Sequence, residues 1–204
     1  MKALTKLKQE QITPTEALQI LMDGNKRFVE NTLTQRDLLG QVSDTSTGQF
    51  PFAAILSCID SRVPAEIVFD QGIGDVFSAR VAGNIVNEDM LGSIEYACKV
   101  AGSKIVVVMG HTKCGAVTAA CKNVELGNIT ALLSKIKPAV ELCSTGIEMD
   151  AEAIEEVAIQ NVLLSIQNIR EESPILAEME QEGSILIVGA IYSVATGEVS
   201  FLEK

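Results

Sequence analysis

Apolar and polar positions along the chain follow two alternating patterns. Continuous apolar runs end abruptly in polar residues, and stretches of helical spacing come between them. "PFAAILSC" (51–58) and "KIVVVMGH" (104–111) are short runs, the second rich in β-branched residues, and both read as buried strands. "DVFSARVAG" (75–83) alternates and ends in glycine. "NEDMLGSIEYACKVAG" (87–102) predicts a helix closed by Gly102, and "CGAVTAACK" (114–122) opens another. Residues 127–180 are mostly helical by pattern, with breaks expected near Pro138, over 144–150 and at Ser173-Pro174. "SILIVGAIYSVATGEVSFL" (184–202) predicts one more buried strand, a hairpin-like turn at Thr196-Gly197 and an edge strand. Continuous apolar strands separated by helices imply an α/β fold with a mostly parallel central sheet covered by helices.

Ahead of this core, "ITPTEALQILMDGNKRFVENT" (12–32) carries a helix start. Thr13 stands at the N-cap, Pro14 at the first helical position, and Glu16 completes a capping box. Ala17, Leu18, Leu21, Phe28 and Val29 give it a partly apolar face. Residues 35–49 hold many turn formers and read as a connector, so this helix is expected to lie away from its own core. The expected organisation is a single domain, 1–204, with an N-terminal helical arm and connector (1–48) and an α/β core (49–204).

With 47% hydrophobic and 21% charged residues, the chain has the composition of a globular protein of one core. Its formal net charge of −11 argues against a nucleic-acid partner, which needs basic surface to neutralise phosphates. The polar N-terminus has no apolar h-region, and no apolar run is long enough to span a bilayer. A soluble, cytoplasmic protein with no membrane partner is therefore expected. The five cysteines, Cys58, Cys98, Cys114, Cys121 and Cys143, are odd in number, which favours metal binding or burial over a disulfide framework.

The chemistry concentrates in "CIDSR" (58–62) and "HTKC" (111–114), which follow two of the apolar runs. Ligands of parallel sheets bind beyond the C-terminal ends of strands, so these stretches should meet. In an extended chain Cys58, Asp60 and Arg62 face the same way. Cys58, His111 and Cys114 together supply two thiolates and one imidazole, a set suited to tetrahedral zinc with its fourth position open, as catalytic sites have it. His111 is the only histidine in the chain. Two thiolates cancel the charge of the ion, so its water needs help to ionise. Asp60 can orient that water or block the metal, and Arg62 can hold Asp60 in a two-pronged ion pair. The spacing alone leaves open a structural cysteine beside an ordinary salt bridge, and a thiol near an arginine also suggests a phosphate loop, though no glycine-rich cradle surrounds it.

"CIDSRVPAE" followed by "GHTKCGAV" resembles the β-class carbonic anhydrases over roughly residues 14–202. The resemblance implies a zinc enzyme, one Zn2+ per chain, that interconverts carbon dioxide and bicarbonate through zinc-bound hydroxide. It implies a four-stranded parallel core with an added edge strand, and a homodimer or homotetramer whose N-terminal helices embrace the partner subunit. Cys58, His111 and Cys114 match the family's zinc ligands, and Asp60 and Arg62 its catalytic dyad. Gln49 matches a substrate-binding glutamine at the dimer interface. Phe77 and Tyr96 match the pocket lining of the plant-like branch, and Gly115 a glycine whose N–H lies near substrate. A second branch has tryptophan three residues before the first ligand, used with an arginine and a tyrosine to bind bicarbonate. Here that position is Ile55 and the chain has no tryptophan, although Arg80 matches the arginine, which implies the plant-like branch. A carbon disulfide or carbonyl sulfide hydrolase on the same scaffold, or a non-catalytic zinc or redox protein, are the alternatives.

Overall fold

A computed structural model describes residues 2–144 and 149–202. Among them, five strands form one sheet in the order β2-β1-β3-β4-β5. β1 (Ala53–Ser57), β2 (Val76–Arg80), β3 (Ile105–His111) and β4 (Leu186–Tyr192) are parallel, and β5 (Val199–Phe201) runs antiparallel to β4 at one edge. The fold is thus the expected α/β sheet, four parallel strands and an added edge strand. After β1 the chain crosses to β2 on one side, then returns to β3 on the other. The C-terminal ends of β1 and β3 therefore flank the topological switch point, the usual binding crevice of such sheets.

Both faces are covered, which explains why β1 and β3 are apolar at successive positions. On one face Ile55, Val107 and Met109 pack with Ala17 and Leu21 of α2 (Pro14–Val29) and with Ala65 and Val68 of α4 (Ala65–Val68). On the other, Leu56, Val106, Val108 and Ile187 pack with α5 (Glu88–Glu95), α9 (Ala151–Glu172) and α10 (Pro174–Gln181). A third cluster joins Cys58 and Cys114 to Val117 of α6 (Gly115–Cys121), Leu133 of α7 (Gly127–Leu133) and Ala139 of α8 (Lys137–Cys143).

Two local expectations change. The helix of the arm does not lie away from its core: Ala17 and Leu21 are fully buried against its own sheet. It keeps the expected capping box between Thr13 and Glu16. Gly24 explains the close approach, since a Cβ there would stand 1.9 Å from the Phe69 carbonyl oxygen. The preceding helix α1 (Lys6–Gln11) is tied down as well, by Gln9 Nε2 donating to the carbonyls of Pro51 (2.7 Å) and Ala101 (2.8 Å). The connector contains a helix, α3 (Leu38–Thr45), whose N-cap Asp37 accepts from the N–H of Gly40. The break expected near Pro138 falls just before α8, with the proline in its first turn, where its missing N–H is harmless. The break over 144–150 lies in part outside the described residues, and Ser173-Pro174 divides α9 from α10 as expected.

Candidate metal centre

Strand register brings the two polar stretches together. Ser57 pairs with Met109, so Cys58 leaves β1 beside the last residues of β3, which ends at His111. Cys114 is the N-cap of α6. The thiol sulfurs of Cys58 and Cys114 and a ring nitrogen of His111 all lie within 4.8 Å of one another, and all three residues are buried. One ion can touch all three.

The protonation pattern suits a metal. His111 Nδ1 is 2.9 Å from the Thr112 carbonyl oxygen, to which it donates, so the lone pair sits on Nε2. Nε2 is buried and, among the described residues, has no hydrogen-bond partner, an expensive arrangement that a Lewis acid would relieve. The Cys114 thiol beside it, with His111 and the N–H of Gly83 acting in the same direction, brings the Cys58 thiol well below its ordinary range against the opposing effect of burial. The same contact pushes the Cys114 thiol up. A divalent cation held there would favour both sulfurs as thiolates.

Asp60 and Arg62 stand at the mouth. Arg62 grips the carboxylate through Nε to Oδ1 (2.9 Å) and Nη2 to Oδ2 (2.8 Å), and its backbone N–H adds a bond to Oδ1 at 2.9 Å. These bonds, opposed by partial burial, hold the Asp60 carboxyl far below the usual carboxylate range. Asp60 Oδ2 lies 4.0 Å from His111 Nε2. Gly115 opens α6 next to Cys114, and the space where its Cβ would stand is empty, so its backbone is accessible.

None of the remaining candidates belongs to the grouped donor atoms of the triad. Gln49 is exposed. Phe77 and Tyr96 meet edge to face, ring centroids 6.3 Å apart, in a groove of about 680 Å³ between β2 and α5 that none of the three ligands lines. Tyr96 is 55% exposed. Arg80, matched in sequence only to a bicarbonate-binding arginine, braces the loop by donating to the carbonyls of Cys58 (2.9 Å) and Asp60 (2.6 Å). Cys98 is buried, which pushes its thiol up to about 12 and leaves it inert.

The carbonic anhydrase family model matches residues 53–199. A carbonic anhydrase of Mycolicibacterium smegmatis is 34% identical over 192 residues, spanning 91% of this chain and 92% of its own. The structure is similar to a β-carbonic anhydrase of Aspergillus fumigatus (TM-score 0.74, 29% identity, 79% of this chain and 80% of that one). It is also similar to a chain of the tetrameric β-carbonic anhydrases of Sordaria macrospora (TM-score 0.71, 26% identity, 78% and 84%). Sequence, fold and the grouping of two cysteines with one histidine agree, and the chain belongs to the β class of the carbonic anhydrase family.

Proposed function

We propose that the protein is a zinc-dependent carbonate dehydratase, interconverting carbon dioxide and bicarbonate with release of a proton. The observation that carries this reading is the grouping of the buried sulfurs of Cys58 and Cys114 with a ring nitrogen of His111 within 4.8 Å, with His111 Nε2 lacking a hydrogen-bond partner among the described residues. Zinc held by Cys58, His111 and Cys114 would supply a Lewis acid that lowers the pKa of water and makes a nucleophile at usable pH.

The chain's own residues do the rest. Ionised Asp60 is acceptor-only, so its Oδ2 takes a hydrogen bond from the attacking water and turns the water's lone pair toward carbon dioxide. Arg62 holds the carboxylate in that place and keeps it off the ligand triad. The N–H of Gly115 is positioned to meet an oxygen of substrate or product. Gln49, Phe77 and Tyr96 are exposed or remote in one chain, which fits a pocket completed across a homodimer or homotetramer. The chain has no second histidine, so a tyrosine, a water chain or an external buffer carries the proton to solvent. Residues 1–48 and 49–204 act as one domain, supported by the bonds of Gln9 to the core. Among the described residues no helix is long and apolar enough to cross a membrane, in keeping with a cytoplasmic enzyme.

The test is metal analysis together with stopped-flow hydration of carbon dioxide. One zinc per chain, lost with activity in Cys58→Ser, is the expected result. Protein that carries stoichiometric zinc and hydrates no carbon dioxide overturns the reading. Turnover of carbon disulfide or carbonyl sulfide in its place would move the assignment to that chemistry.

A further inference from the structure

The 22-residue helix α9 contributes nothing to the mechanism above, yet its buried face is interrupted by two polar side chains one turn apart. Asn161 and Ser165, 3% and 4% exposed, sit among Val157, Ala158, Val162, Ile166 and Ile169. Both reach the same turn. Asn161 Nδ2 donates to the Gly83 carbonyl at 2.8 Å, and Ser165 Oγ donates to the Asn84 carbonyl at 3.3 Å. The backbone N–H of Gly83 in turn donates to Cys58 Sγ at 3.4 Å. We propose that Asn161, supported by Ser165, is a positioning residue for the metal-ligating sulfur of Cys58, acting through Gly83. The proposal rests on the reading of Cys58 as a ligand.

Three observations support it. A polar amide inside an apolar helix face is costly unless bonded, and packing alone is served there by a leucine of similar shape. The turn itself needs holding: Gly83 and Asn84 both adopt left-handed φ, +69° and +43°, and such a conformation is unfavourable for a non-glycine residue. Sterics already confine Gly83, whose Cβ would meet Ile136 Cδ1 at 2.6 Å and Ala116 Cβ at 3.3 Å. Confinement fixes where the turn lies, however, and not where its N–H points. Grasping two successive carbonyls fixes the two peptide planes that follow Gly83 and so limits its φ and ψ, which in turn holds the preceding peptide, the one carrying the Gly83 N–H, toward the sulfur. A hydrogen bond to a ligating sulfur orients it and tunes its donor strength, and outer partners of this kind are worth about 10- to 100-fold in metal affinity.

The experiment compares the holoenzyme with Asn161→Leu, Ser165→Ala and, as a packing control two turns along the same helix, Ile169→Val. Zinc affinity is measured by competition with a chromophoric chelator. In the cobalt-substituted proteins the thiolate-to-cobalt charge-transfer band is recorded. Asn161→Leu should bind zinc about 10-fold or more weakly and shift the band. Ser165→Ala should move both in the same direction by less, and Ile169→Val should lower Tm while leaving both in place. Wild-type affinity with an unshifted band in Asn161→Leu, or an equal loss in Ile169→Val, overturns the proposal. If Asn161→Leu does not fold, an unchanged band and affinity in Ser165→Ala overturns it instead. A wild-type chain that takes up no zinc refutes the ligand reading itself, a result distinct from these.

Discussion

Arg62→Ala tests whether the ion pair at the mouth of the site controls Asp60. The substitution removes the Nε and Nη2 donors but leaves the backbone N–H on Oδ1. The oxygen set free is therefore Oδ2, the one that lies 4.0 Å from His111 Nε2. A two-pronged charge-assisted contact is worth roughly 1.5–3 kcal/mol when shielded. Here the Arg62 side chain is 49% exposed, so solvent screening reduces the effect to a shift of roughly 2- to 5-fold toward conformers in which Oδ2 turns to the ligand triad, and kcat for carbon dioxide hydration should fall by at least that factor. Loss of charge is not the cause: without Arg62 the carboxyl rises toward its ordinary value of 3.8, still ionised at neutral pH. Arg62→Lys keeps the charge but not the fork and should recover activity only in part. Stopped-flow measurement of kcat and KM for the three proteins is the assay. An unchanged kcat in Arg62→Ala would show that Arg62 does not control the carboxylate.

Two further substitutions test how the arm is fastened. Asp70, its side chain 2% exposed, accepts from Arg27, Arg36 and Thr34, so Asp70→Asn leaves the nine-tenths-buried Arg36 without its counter-charge. The expected cost is about 3–5 kcal/mol, or roughly 6–15 °C in Tm for a chain of this size, and a melt within a degree of wild type contradicts it. Burial alone would raise the pKa of Asp70, but Arg27 and Arg36 bring it below 3.8, so its contribution to stability is present above that pH and is lost as pH falls through the lower folded value. Acid melts of Asp70→Asn should accordingly be flatter than wild type below that point. Gly24→Ala drives a Cβ to within 1.9 Å of a backbone oxygen, so α2 must shift at a cost of about 1–3 kcal/mol or more, and limited proteolysis should cut the arm faster than in wild type.

The strands were legible because burial on both faces leaves long apolar runs, and the ligand triad because its donors are chemically unlike their neighbours. α3 was not legible. Gly40, Ser43, Asp44 and Thr45 read as turn formers, and what stabilises the helix is tertiary: Gln41 is 1% exposed and accepts from the N–H of Ile73. The seat of α2 was hidden for a related reason. A glycine inside a helix lowers helical propensity, and only the position of Phe69 reveals that Gly24 permits close contact. Arg80 and Asn161 escaped as supports of the site because each acts on backbone carbonyls of a loop, and such partners leave no side-chain pattern to read. Phe77 and Tyr96 were legible as aromatic candidates, but one chain does not bring them to the ligands.

Asn25 of α2 donates through Nδ2 to the carbonyls of Val68 (3.1 Å) and Gly197 (2.9 Å) and accepts through Oδ1 from the N–H of Val199 (2.9 Å). The first long helix to be synthesised thus holds the last strand. During translation the arm is complete long before residues 197–199 leave the ribosome, so this joint cannot form on the nascent chain until they have emerged. Closing a loop of that span carries a large entropic cost and belongs to a slow, late step of folding. Until then β4, which β5 will cover, presents an open edge, a template for pairing with other chains. The acidic surface of a chain carrying −11 charges protects that interval by repulsion.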